Sequence, residues 1–368
     1  MAQSILKRIT IILICTNFFY INAIFNYKVL FILGIFFVIK RMSIKWLIAI
    51  CAFIASQILL IGLTSSDPLD RIFVLIATFL VGVGYFGWVS ILFKTRAYEI
   101  PFMGYMLLLV AGYLLRSSFV NIDPLILALI ATVSLHEKTV YRNSGLSELF
   151  IFLSGFIYSL LTGWRSALLS FMVGFSYSIY VNSKLIPRLL LLILSAILFG
   201  YALSYALNIL DLLIATGSGG DPSSGRLAMM YSASSVIYQL FMNFDIRAYF
   251  GHGIGAFGED FAQTMSVVVD VLDVEITSLY EAEGESRLHA HNFIVQNLYE
   301  FGLIGLIIQA TLIFKMLNTL KKYRVFIYMG FVSGSMSGIF YIYSEYFIVL
   351  YGLYMFSKTK DLKLNASI

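Results

Sequence analysis

The chain has 368 residues, 60% of them hydrophobic and only 12% charged, with a formal net charge of +5 and a mean hydropathy of +0.88. A soluble domain carries roughly a quarter charged residues, so the composition excludes one. Apolar runs long enough to cross about 30 Å of hydrocarbon recur along the chain. They are unbroken, where barrel strands would alternate in segments of about ten. The fold class read from this is an all-α polytopic membrane protein. The positive charge does not point to nucleic acid, because the basic residues cluster in short loops, where they set topology. Cys15 and Cys51 both fall in apolar spans and suggest neither a disulfide framework nor a metal site. No A-x-A-like cleavage site follows the first apolar run, which is expected to remain as the first span.

Taken in order, Lys7 and Arg8 precede a span over about 9–25, and a short second one over about 28–39 ends at Lys40-Arg41. Spans follow at about 46–63, 72–93, 101–115 and from Pro124 to about Leu135. Two more, at about 148–161 and from Ser166 to about Val181, are separated only by Thr162-Gly163-Trp164-Arg165. A ninth covers about 189–207. Then comes a polar island, 208–290, and three further spans between 291 and 357, with a basic tail over 358–368. The expected organisation is therefore nine transmembrane helices (1–207), a large loop (208–290), three more helices (291–357) and the tail.

Charge sorts the connections into two sets. The N-terminus, the loops near 40–45, 94–96, 136–142, 184–188 and 315–324, and the tail hold most of the Lys and Arg. By the positive-inside rule these are cytoplasmic. The loops near 22–27, 64–70, 116–123, 162–165 and 206–290 would lie on the opposite face. Twelve spans with both termini inside satisfy the pattern, and they put Arg165 on the same side as the island. No internal repeat of the transporter kind is evident.

The residues able to carry chemistry gather around the island. Arg165 opens an apolar helix after a tight turn; it either snorkels to headgroups or faces a ligand. Arg226 follows Asp221-Pro222-Ser223-Ser224-Gly225, a helix-start signal. It opens a segment, Leu227 to Phe241, with the apolar spacing of a helix lying at a membrane surface. Helix N-terminal amides there attract anions, although an exposed surface Arg fits the same sequence. Gly253-Ile254-Gly255-Ala256-Phe257-Gly258 matches G-x-G-x-x-G in form. A nucleotide site needs a flanking strand and helix and access to cytoplasmic nucleotide, and the expected location denies the last, so the motif reads as a tight glycine turn. His289 and His291 make a weak zinc pattern. His291 is alternatively a structural residue at a helix start or an acid–base group. Asn292, Gln296 and Glu300 stand at i, i+4 and i+8, so they share one helix face and carry polarity into the span. An intramembrane Glu needs a partner or a function. Gly302 and Gly305 are candidates for close helix packing.

Arg165 before an apolar helix, Gly225-Arg226, Gly253-x-Gly255-x-Phe257, and His291-Asn292 followed by Glu300-x-Gly302-x-x-Gly305-Leu306 together resemble the O-antigen ligase/polymerase family of Wzy- and WaaL-like integral membrane glycosyltransferases. Trp164 departs from the small residue expected before the Arg. The resemblance implies a GT-C-like fold of about twelve helices in the bacterial inner membrane. It also implies metal- and cofactor-independent glycosyl transfer from an undecaprenyl-diphosphate-linked glycan at the periplasmic face. Arg165 and Arg226 would hold the diphosphate and His291 would activate the acceptor hydroxyl. Asn292, Gly253, Gly255 and Glu300 would belong to the substrate site. Implied partners are the lipid-linked oligosaccharide as donor and acceptor, membrane lipid, and a Wzz-like chain-length regulator. Length and Phe, Ile and Tyr richness favour a repeat-unit polymerase. The alternatives are a ligase to lipid A-core and, outside enzymes, a lipid-linked glycan flippase, which would spread ionisable residues through a central cavity.

Overall fold

A computed structural model describes residues 2–17, 33–39, 44–65, 68–115, 121–137, 144–182, 226–254, 256–257, 292–337 and 344–365. Apart from one two-residue strand pair, the regular structure described is helical. The order is α1 (Ala2–Cys15), β1 (Thr16–Asn17), α2 (Ile35–Ile39), α3 (Ile44–Thr64), α4 (Pro68–Lys94), α5 (Phe102–Leu115), β2 (Asn121–Ile122), α6 (Pro124–Glu137), α7 (Ser144–Thr162) and α8 (Arg165–Asn182). Then come α9 (Arg226–Met242), α10 (Arg247–Phe250), α11 (Phe293–Thr319), a 3₁₀ turn (Lys321–Tyr323), α12 (Arg324–Ser337) and α13 (Glu345–Asn365). The first apolar run, expected as a span over about 9–25, is helical only as far as Cys15 and passes into the strand Thr16–Asn17, and of the second only Ile35–Ile39 is described as helix; the ninth span lies outside the described residues.

α6 is the axis of the core. It is apolar all round and buried from Pro124 through Ser134, as expected of a helix with no solvent face. β1 and β2 pair antiparallel, Thr16 opposite Ile122, and bring the end of α1 to the start of α6. There the Asp123 amide donates to the Cys15 carbonyl over 2.8 Å. The Asp123 carboxylate caps α6, accepting from the amides of Leu125 (2.8 Å) and Ile126 (3.2 Å), which satisfies two donors a helix start leaves open. α7, α8 and α12 form a second packed layer, with Ser170 Oγ of α8 donating to the Met329 carbonyl of α12 over 2.9 Å.

The outside is as apolar as the inside. Leu59, Leu63, Phe73, Leu107, Leu114 and Phe314 all point outward, Leu63 at 75% exposure. Several polar side chains, Gln57, Arg71, Gln296, Asn297, Glu300 and Gln309, are buried instead. Water would drive the opposite distribution; hydrocarbon tolerates it, provided the inward polar groups find partners. Among the described residues two helices are long and apolar enough to cross a membrane, Arg71–Lys94 and Phe293–Thr319. Five shorter apolar helices accompany them.

The His136 ring lies 5.5 Å from Tyr323 and Tyr98 packs on Phe356, while Arg71, at the start of α4 beside the 64–70 loop, meets His252.

Candidate functional site

The site is built on a break in α11. Asn292 stops the chain from entering the helix earlier. Its backbone is extended, and its side-chain oxygen accepts from the amides of Ile294 (3.0 Å) and Val295 (3.2 Å). Its amide nitrogen donates to the Ser335 carbonyl of α12 over 3.2 Å. This is the N-cap chemistry expected of Asn before an apolar run, and it fixes the residue that directly follows His291. Ten residues after Asn292 the helix breaks at Gly302, which adopts φ 64°, ψ −167°, a conformation essentially confined to glycine.

A turn from the other end of the island fills the break. α10 ends at Gly251 (φ 80°), and Gly253 is also left-handed (φ 92°). Between them the amide of His252 donates to the Tyr299 carbonyl, and that of Gly253 to the Glu300 carbonyl, each over 2.9 Å. Two carbonyls at the break thus take donors from the turn. The approach is backbone on backbone: a Cβ on Gly302 would lie 2.6 Å from the Gly251 amide nitrogen. The His252 ring stacks on Tyr299 at 4.4 Å, and Phe257 meets Tyr299 edge-on at 5.5 Å. The junction is buried: His252, Ile254, Glu300 and Phe301 are all inside the protein.

The polar stripe of α11 is real and points inward. Gln296 Nε2 donates to Glu300 Oε1 over 2.8 Å, both residues being buried. One turn round, Asn297 is hydrogen-bonded to Gln309, across the break. Glu300 therefore has a partner on its own helix, one turn away, a pairing that its i+4 spacing allows. Gly302 does more than permit helix packing, because it is where the helix opens to receive the turn. At Gly305 an added Cβ would meet Phe301 of the same helix, so among the described residues no second helix approaches there.

Arg165 and Arg226 stand at the first residues of α8 and α9. Their side chains, and all of His291 and Gly255, lie outside the described residues. α9 packs on both α10 and α11. Ala233, Ile237 and Leu240 form its buried stripe, while Tyr238 and Met242, apolar as well, face outward. Between α9 and α10, Arg247 grips Asp245 with Nη2–Oδ2 at 2.7 Å and Nε–Oδ1 at 3.1 Å. This guanidinium, with the Arg247 amide, holds the Asp245 carboxyl down at about 2.

Sequence reasoning missed Arg71 and His252. Arg71, in the first turn of α4, is 4% exposed and donates from Nη2 to the His252 carbonyl over 2.5 Å. The only local signal was an Arg directly after Asp67-Pro68-Leu69-Asp70, on the loop set that contains the island.

Apolar residues facing outward, polar residues buried inside and a broken helix enclosing a glycine turn describe a helical protein with the composition of a membrane protein and an irregular site in α11. Residues 149–310 match the family model described as O-antigen ligase, Wzy_C, a match that supports the O-antigen ligase/polymerase family. The match runs from α7 through the break of α11. Members of this family are membrane-associated, glycosyltransferase-like enzymes acting on lipid-linked glycans. No curated protein matches the chain.

Proposed function

We propose that the protein is a surface-polysaccharide polymerase. It transfers a growing undecaprenyl-diphosphate-linked glycan onto a lipid-linked repeat unit, at the periplasmic face of the bacterial inner membrane and without a metal. The observation that carries the reading is the family match over 149–310. That stretch ends on the helix whose capped start follows His291 and whose break receives the glycine turn. Twelve spans, nine before the 208–290 loop and three after it, with the 358–368 tail cytoplasmic, belong to this proposal. The separation of basic from basic-poor loops supports it.

In the reaction the bond between the anomeric carbon of the donor and the diphosphate oxygen breaks. A bond forms from that carbon to an acceptor hydroxyl oxygen, and the hydroxyl proton passes to neutral His291. Charge develops on the leaving diphosphate, where Arg165 and Arg226 stabilise it through planar, charge-assisted donors. The leaving group is already activated, so the step balances without a metal. Asn292 and the Gly253–Gly255 turn hold the walls of the site, and Glu300 fixes the helix behind them. A Wzz-like partner would set chain length.

The description of the matched family, O-antigen ligase, favours transfer to lipid A-core as the second reading. Purified protein given only the lipid-linked repeat unit, with a chelator present, separates the two. Lipid-linked products of two or more repeats support the polymerase. No elongation, followed by transfer once lipid A-core is added, means a ligase. Neither reaction, with movement of the unit across vesicles, means a flippase.

A further inference from the structure

We propose that Arg71 is a positioning residue for glycosyl transfer, acting from outside the family-matching stretch through the Gly251–Gly253 turn. The inference rests on the glycosyltransferase reading above. The Arg71 guanidinium is buried in the first turn of α4 and donates to the His252 carbonyl, 181 positions away in sequence, over 2.5 Å. The amides on either side of that carbonyl, His252 and Gly253, are the two that pair with the α11 break. One carbonyl therefore ties α4 to the turn while its neighbouring amides tie the turn to α11.

The seat is shaped for this. The place a Cβ would occupy on Gly253 lies 3.2 Å from Ile61 Cγ1, 3.4 Å from Arg71 Nη2 and 3.7 Å from Gln57 Oε1, so the turn rests directly on α3 and α4 with no side chain between. Ile61 and Leu75 pack with Ile254 and Phe301, and Phe53 lies 6.3 Å from the Phe301 ring. Gln57 Oε1 is buried without a hydrogen-bond partner among the described residues. The position therefore keeps a polar lining where an apolar side chain would pack at lower cost. A charge-assisted bond from a rigid planar donor fixes direction as well as distance. The start of α11, at Phe293, lies about two turns from the break that the turn steadies. A displacement of about 1 Å at a reacting group can lower a rate about 100-fold.

The test uses the full chain with Arg71→Ala and Arg71→Lys, measuring kcat and KM for the lipid-linked repeat unit, together with the thermal midpoint. The expected result is a kcat down about 100-fold in R71A with KM changed less than about threefold. R71K, which keeps a cation and a donor but loses the planar fork, should recover about tenfold of that loss and stay about tenfold below wild type. Unchanged kcat per folded molecule in R71A, even with a lowered thermal midpoint, overturns the positioning role and leaves Arg71 structural. If R71A does not accumulate, R71K alone decides: kcat down about tenfold with an unchanged midpoint supports the proposal, and wild-type kcat overturns it. A wild-type chain that transfers no glycan brings down the glycosyltransferase reading instead, so the two failures are told apart.

Discussion

Gly251 and Gly302 cross backbone to backbone. A Cβ on Gly251 would run into the Glu300 carbonyl and lie 2.5 Å from the Phe301 amide nitrogen; one on Gly302 would lie 2.6 Å from the Gly251 amide nitrogen. Both residues have positive φ, 80° and 64°, so a side chain at either meets strain and a rigid obstacle together.

Gly251→Ala and Gly302→Ala are each expected to cost roughly 2–5 kcal/mol, the sum of left-handed strain and overpacking against backbone. Gly62→Ala is the control, since a Cβ there meets nothing within 4 Å. Thermal midpoints in detergent check this. Near-wild-type midpoints for both glycine variants at the crossing would contradict the described junction.

Glu300→Gln and Glu300→Ala should differ. Glutamine keeps an oxygen for Gln296 Nε2, whereas alanine leaves a buried amide without its 2.8 Å acceptor, a loss of about 1–3 kcal/mol. The ranking to be seen in stability is wild type and E300Q close together, E300A well below. E300A as stable as E300Q would mean that the pair contributes nothing.

Asp123 lies just before α6, and burial pushes its carboxyl up to about 6, with Glu345 adding to the rise and the two capping amides opposing it. Because the folded value stands above the unfolded one, the folded state holds the proton more tightly. Stability attributable to this group is then present below about pH 4 and lost as pH rises to about 6. Asp123→Asn keeps the capping oxygen and removes the titration. Its stability relative to wild type should improve between pH 4 and 6 and level off above. A pH-independent difference between the two proteins would rule this out.

Asn292→Ala removes the acceptor for two amides and the donor to Ser335, and should cost about 1 kcal/mol. Asn292→Asp keeps the cap and loses only the donor. Midpoints falling in the order wild type, N292D, N292A agree with this; an N292A matching wild type does not.

What was legible in the sequence was local. Unbroken apolar runs gave the helices. Asn292 before Phe293 gave a helix start, and the four-residue spacing of Gln296 and Glu300 gave a pair on one face. The break at Gly302 was not legible, because Gly302 and Gly305 look the same in sequence whether a helix passes by or opens. The difference lies in the Gly251–Gly253 turn about fifty positions earlier. Arg71 was missed for the same reason: its acceptor is a backbone carbonyl 181 positions away, and a carbonyl leaves no mark in sequence. Arg165, Arg226 and His291 rest on the family pattern, since their side chains lie outside the described residues.

The most direct test of the account is the surface-polysaccharide banding pattern of cells lacking this gene, complemented with wild type, Arg226→Ala or His291→Ala at equal expression. Loss of the positioned base or of a diphosphate donor should lower transfer at least about 100-fold. The account predicts a long ladder with wild type and core plus a single repeat with either variant. A full ladder from H291A would contradict the assigned chemistry, and glycan-free core with long lipid-linked chains in the deletion would contradict the polymerase.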